Sequence, residues 1–283
     1  MPVTLRRNCR PWQRFTHVRF SMLALSARQM ERKSGALILG EPGAVSGGRP
    51  PAGASAAGEI NRGGGVMRCA VCSGDDELWT PGKSLTEAVE LFRRAPGCDM
   101  YANLAVFLCA QMLELFACED SDAEFTRRWN ELFAHIEAWY SQRPSEMRSI
   151  LSQPASTGRE ASYSSPFPTL LFSNPPAISG NQLYHTAALL MLQKKPRRAV
   201  PPPNTRPILW HARRICAISI CNTHHGCWTN SVQPLWIAGQ VMSHHAEHRA
   251  ILETYERIER ETGWGTDWRA NDLKAHWADL DDG

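Results

Sequence analysis

The sequence predicts an all-α fold: an antiparallel helical array or bundle behind a disordered N-terminal leader. Three observations carry that expectation. Apolar residues from Ser84 onward recur at three-and-four spacing. Two S-x-x-E capping boxes, Ser84–Glu87 and Ser121–Glu124, mark helix starts. No strand alternation of useful length appears, and Leu170, Leu171 and Phe172 are too few to support a sheet.

The leader differs in kind from the rest. Of a net charge of +3, residues 1–66 hold ten Lys/Arg against three acids, or +7, which leaves −4 for residues 67–283. Residues 34–66 are mostly Gly, Ala, Ser and Pro. They bring too few large apolar side chains to offset an ordering cost of roughly 1.5 kcal/mol per residue. The division expected is therefore a basic disordered leader and linker over 1–66 and a helical domain over 67–283. The Arg- and Ser-rich start also fits a mitochondrial presequence, and Met67 is a later candidate initiator. No apolar run approaches the 18 or more residues of a membrane span, so no membrane partner is expected. Nine cysteines behind no signal peptide point to a reducing compartment and to buried thiols.

The helices follow in order. SLTEAVELFRRA is stopped by Pro96 and Gly97. MYANLAVFLCAQMLELFAC is apolar nearly all round, as a helix buried among others should be. DAEFTRRWNELFAHIEAWYSQR is amphipathic, with Phe125, Trp129, Leu132, Phe133, Ile136 and Tyr140 on one face and Arg127, Arg128, Glu131 and Glu137 elsewhere. Residues 152–168 read as a Ser/Pro loop. Further helices are expected near 176–194, 204–222, 229–243, 245–262 and 269–278, with Gly263 as a C-terminal cap.

Several clusters carry potential chemistry. His244, Glu247 and His248 match the H-x-x-E-H spacing of an inverted zinc-protease motif, and the alternative function is accordingly a zinc-binding protein or metal-dependent hydrolase. The competing reading is a polar helix start with His and Glu exposed on its first turn. Cys221, His224 or His225, and Cys227 could close around an ion in a turn, or the cysteines pack in the core. Cys69 and Cys72 form a lone C-x-x-C. No G-x-S-x-G, P-loop or dinucleotide fingerprint is present, so the expectation is no enzyme, with no catalytic residue, metal ligand or cofactor assigned. Lys194, Lys195, Arg197 and Arg198 form a basic run suited either to nuclear import or to a solvated helix end.

The segment FSNPPAISGNQLYHTAALLMLQKKPRR, with GNQLYHTA at Gly180–Ala187, resembles the helical regulatory domain of fungal-specific zinc-cluster transcription factors. The resemblance continues through Trp210, His211 and Arg213, QPLWIAG at 233–239, the Glu/Arg-rich helix and the TGWGTDWRANDLKAHW close. It covers roughly residues 84–278. It implies an all-helical, non-enzymatic domain in the nucleus that regulates RNA polymerase II transcription with co-regulator or transcription-machinery proteins and a small-molecule effector. DNA binding is implied by the family alone. The family's module holds two zinc ions with six cysteines, and this sequence departs from it with one C-x-x-C pair, so a regulatory half without its own DNA-reading module is expected. Under this resemblance Leu183, Ala187, Leu190 and Met191 form the buried face. Asn181, Gln182, Tyr184 and His185 serve either a buried hydrogen-bond network or an effector contact. Trp264, Trp268 and Trp277 pack the last helices.

Overall fold

The computed structural model describes residues 84–94, 97–155 and 165–281. The expected leader and linker over 1–66, and the Cys69–Cys72 pair, lie outside them. The described residues are all-α, with a small two-stranded ribbon as their only sheet.

Helix α1 (Leu85–Arg94) starts at a complete capping box. The Ser84 N–H donates to Glu87 Oε2 at 2.7 Å, and the Glu87 N–H donates to Ser84 Oγ at 3.3 Å. Helix α2 (Cys98–Ala117) follows a turn at Gly97, whose φ of 103° suits only glycine. Helix α3 (Asp122–Ser141) has half a box. Ser121 accepts from the Glu124 N–H, while the Glu124 carboxylate turns to Arg127 at 2.6 Å instead of reaching back. The predicted apolar face of α3 is buried at Trp129, Leu132, Phe133 and Ile136, and Trp139 joins it.

A 3-10 turn (Ser145–Met147) leads to the one departure from the expected fold class. Strand β1 (Leu151–Gln153) pairs antiparallel with β2 (Thr169–Leu171), in the register Leu151 to Leu171 and Gln153 to Thr169. Three residues per strand leave too little alternation for the sequence to announce. The pairing is held from outside, because β2 lies against α5 (Ile208–Cys221), where Asn222 Nδ2 donates to the Leu170 carbonyl and the Phe172 N–H donates to Asn222 Oδ1.

Helix α4 (Pro175–Gln193) is the axis of the fold. Asn174 caps it, accepting from the Ala177 N–H at 2.8 Å, and prolines occupy its first turn, where a missing N–H costs nothing. It packs against α2, α3, α5 and α6 (His225–Gly239). Its residues from Ala177 to Met191 are buried except for Ser179 and Leu183, which are half-buried. The close approach of α3 is made at Gly180, where an added Cβ would sit 3.0 Å from Trp139 Cζ2 and 2.9 Å from Met147 Cε.

Helix α7 (His245–Thr262) ends at Gly263 in the left-handed conformation, φ 69°, as its position in the sequence predicts. Helix α8 (Asp267–Asp281) closes the array against α6 and α7. The Trp-rich close divides. Trp277 is buried and donates to the Gly239 carbonyl at 2.9 Å. Trp264 and Trp268 stay substantially exposed, which corrects the expectation that all three pack inside. Trp268 instead covers Arg269, whose guanidinium lies 3.9 Å from its ring and 4.3 Å from that of Trp236.

By length and composition α2 meets the membrane-span criterion that the sequence reading finds in no run, with a mean hydropathy of 1.5 over its best window. Its buried side, including Leu104, Leu108, Met112 and Leu115, faces the protein core. Amphipathic neighbours close over a helix whose own pattern shows little sidedness.

Burial at α4 yields a paired prediction. Leu189→Ala, at a position with no exposed surface, should lower unfolding free energy by about 2–5 kcal/mol. Leu209→Ala, on a residue nearly half exposed, should change it by less than about 0.5 kcal/mol. Urea titrations followed by circular dichroism compare the two; equal effects would contradict the placement of α4.

Candidate functional site

Asn181, Gln182, Tyr184 and His185 fall within five residues of a helix surrounded by others, so between them they face the 3-10 turn, α3 and α5. Asn181 Nδ2 donates to the Met147 carbonyl and to Ala177, both at 2.8 Å. Gln182 Nε2 donates to Ser219 Oγ on α5 at 2.9 Å, and Ser219 in turn donates to the Ile215 carbonyl. The Tyr184 hydroxyl donates to Glu137 Oε1 on α3 at 3.0 Å. His185 Nδ1 stands 3.1 Å from His211 Nδ1 on α5. The α4 helix is thereby tied by side-chain hydrogen bonds to both flanking helices and to the 3-10 turn.

Around the histidine pair lies an aromatic box. Tyr184 stacks on Tyr140 with ring centres 4.4 Å apart and on Trp139 at 5.7 Å. Trp210 meets His185 edge-on at 5.2 Å and Tyr140 at 6.1 Å. Four of these groups, Glu137, Tyr140, Trp210 and His211, are partners the sequence reading did not assign to the site. The signal for Glu137 was present: it is four residues from Phe133 and three from Tyr140, so it shares their side of α3 rather than the solvated one. Burial raises the Glu137 carboxyl above its ordinary value, against the lowering effect of the Tyr184 hydroxyl. The Tyr184 hydroxyl is raised by burial first and by the Glu137 charge second, so it remains a donor.

The two imidazoles are neutral. Burial holds His185 well below the ordinary value, helped by His211, Arg214 and Arg143. Burial, then the Arg214 charge, brings His211 to about 4 despite the raising effect of the Arg206 backbone. A 3.1 Å contact between like atoms requires one Nδ1 to carry a proton and the other a lone pair. Double protonation would set two N–H groups head to head. A nearby void of about 10 Å³, lined by Leu108, Ile136, Trp139 and Tyr184, is apolar and about the size of one water.

The zinc-protease spacing is taken apart by the fold. His244 is the cap of α7, its Nδ1 accepting from the Ala246 N–H at 3.2 Å, and so it stands outside the helix that would align it with His248. Glu247 is buried and paired with Arg213 of α5, which corrects the expectation of an exposed first-turn glutamate. Arg213 also donates to the Pro166 carbonyl. The His248 ring stacks on Trp277 at 3.8 Å and its Nε2 meets the Met242 carbonyl.

The cysteine–histidine turn is likewise dispersed. Cys227 Sγ accepts from Ser179 Oγ and donates to the Pro175 carbonyl, while His225 stacks on Trp228. Among the described residues no group of three His, Cys, Asp or Glu side chains converges as metal ligands do. Lys194, Lys195, Arg197 and Arg198 are all exposed in the turn after α4, where Lys195 Nζ reaches the Ala199 carbonyl.

The histidine pair predicts a pH dependence of stability. Unfolded imidazoles titrate near 6.5. Between there and about 4 the unfolded chain binds more protons than the folded one, so stability present above pH 6.5 is lost as pH falls through that window. Each histidine contributes a slope of up to about 1.4 kcal/mol per pH unit. Glu137, protonating earlier in the folded state, offsets part of it. Urea midpoints at pH 7.5 and 5.0 should fall further for the native chain than for His211→Gln; equal falls would show that the pair does not titrate this way.

No family model matches the sequence, and no solved structure matches it. The chain is similar to Transcription activator AMTR1 of Alternaria alternata, with 29% identity over 166 residues, 53% of this chain and 22% of that protein. The match thus spans about a fifth of the length of that curated relative.

Proposed function

We propose that residues 67–283 are the helical regulatory domain of a fungal-specific transcription factor of the zinc-cluster kind. In this reading the domain acts in the nucleus on RNA polymerase II transcription, through co-regulator or transcription-machinery proteins and a small-molecule effector. The observation that carries the reading is the 29% identity, across 53% of the chain, to a fungal transcription activator. A non-enzymatic role agrees with that relative's name. The zinc-cluster assignment rests on the sequence resemblance. With Cys69 and Cys72 as the one C-x-x-C of this sequence, DNA contact is assigned to partners rather than to a six-cysteine module within it.

Such a domain works by converting an event at one surface into a change of affinity at another, which requires an element that several others touch. Helix α4 has that position, since shifting it would disturb its bonds to Glu137, Ser219, His211 and Met147 together. The exposed basic turn after α4 is the import signal in this reading.

Two experiments test it. Tethering the full chain to a heterologous DNA-binding module at a reporter promoter should change output relative to the module alone; no change under any growth condition would overturn the reading. Replacing Lys194, Lys195, Arg197 and Arg198 together with Gln should lower the nuclear-to-cytoplasmic ratio of a fluorescent fusion. An unchanged ratio would leave those residues as a solvated helix end.

A further inference from the structure

The buried and half-buried arginines of the described residues are not treated alike by the fold. Arg93, Arg128, Arg213, Arg257 and Arg269 each pair with a carboxylate, namely Glu90, Asp120, Glu247, Glu261 and Asp272. Arg143 and Arg214 pair with none among the described residues, and they stand at the same place.

That place is the outer wall of the aromatic box. The Arg143 guanidinium lies 3.5 Å over the Tyr140 ring and donates to the Tyr140 carbonyl, while its Nε is buried without a partner. Tyr140 meets Trp210 edge-on, and Trp210 has Arg214 at 4.2 Å and the exposed Arg206 at 5.5 Å from its ring centre. Three guanidiniums are thus gathered on two neighbouring rings. Glu137, the carboxylate that bounds the box on α3, is engaged by the Tyr184 hydroxyl. Helix α5 begins two residues after Arg206, and its cap residue, Pro207, offers no side-chain acceptor to its first N–H groups.

Partial desolvation of unpaired like charges is unfavourable, and ring faces return only part of the loss. Arg214 registers this directly: burial, followed by the Arg143 and Arg206 charges, holds its guanidinium below the ordinary value, against the opposing effect of Tyr140 and Tyr184. An anion would reverse the balance. The planar five-donor fork of arginine matches a carboxylate or phosphate through two parallel hydrogen bonds.

We infer that Arg143, Arg206 and Arg214, arranged around Tyr140 and Trp210, form a binding site for a small organic anion bearing a carboxylate or phosphate group. A compact head group suits the site better than a nucleic-acid backbone, because Arg143 and Arg214 are half-buried and, of the three, only Arg206 is exposed. The inference gives the effector of the proposed regulatory domain a chemical class. It rests on that reading only for its biological use, since binding is measured without a reporter.

The test uses the purified full chain, followed by thermal unfolding and titration calorimetry, with citrate and inorganic phosphate as separate probes and sodium chloride holding ionic strength constant. One or both should give a saturable rise in Tm. Arg214→Gln and Arg206→Gln should each weaken that affinity at least about tenfold, whereas Arg197→Gln with Arg198→Gln should leave it unchanged. In chloride alone Arg214→Gln should melt no lower than the native chain, because it relieves repulsion. If Arg214→Gln fails to fold, the exposed Arg206→Gln carries the comparison. The inference is overturned if neither probe gives a saturable response, if all variants respond equally, or if duplex DNA binds through these arginines while citrate and phosphate do not. A normal reporter response with no anion binding would remove the site and leave the regulatory reading standing.

Discussion

The constraint on which the structure depends is the burial of α4 on every side. A helix enclosed by four others has no solvated face on which to place polar groups, yet this one carries Asn181, Gln182, Tyr184, His185 and Thr186 within six residues. Each would cost about 1–3 kcal/mol if buried without a partner. The surrounding elements are therefore selected for what they offer as well as for their shape. Ser219 must face Gln182, Glu137 must face Tyr184, and His211 must present a nitrogen to His185. Thr186 is satisfied within α4 by the Gln182 carbonyl. These bonds specify how α3 and α5 seat on α4 more sharply than apolar contact does, since apolar burial is roughly proportional to area and has little directionality.

The same enclosure explains the chemistry of the box. Imidazoles stripped of water stay neutral, and a neutral pair shares one hydrogen bond where a charged pair could not. Tyrosine hydroxyls without solvent stay protonated and donate. Guanidiniums resist deprotonation, so those on the outer wall keep their charge and turn to the faces of Tyr140 and Trp210. The boundary between neutral interior and cationic rim follows from the intrinsic acidities of the side chains and their depth.

Elsewhere local rules and tertiary demands compete, and depth decides the outcome. At Ser121 the capping box is half made because Arg127 takes the Glu124 carboxylate at an exposed helix start, where either bond is worth little. At His244 the opposite holds. The H-x-x-E-H spacing could align ligands on a helix, but the helix begins at His245, and Glu247 is drawn inward by Arg213. Once a buried charge has a partner, releasing it to serve elsewhere would leave the other charge stranded at a cost of several kcal/mol.

Much of the architecture was legible from one dimension. Periodicity, caps and breakers are local properties, so the helices, the ends at Gly97 and Gly263 and the apolar face of α3 could be read directly. The sequence likewise determined that Asn181, Gln182, Tyr184 and His185 share one apolar helix. Only the tertiary structure decided what they meet. Glu137, His211 and Ser219 lie 26 to 47 residues away along the chain from their partners, and no spacing rule encodes a contact between helices. The β1–β2 ribbon was hidden because three-residue strands carry no period and are held by Asn222 from another element. The exposure of Trp264 and Trp268 was hidden for a related reason: an aromatic side chain prefers burial, but the number of interior places is set by how the helices close around α4.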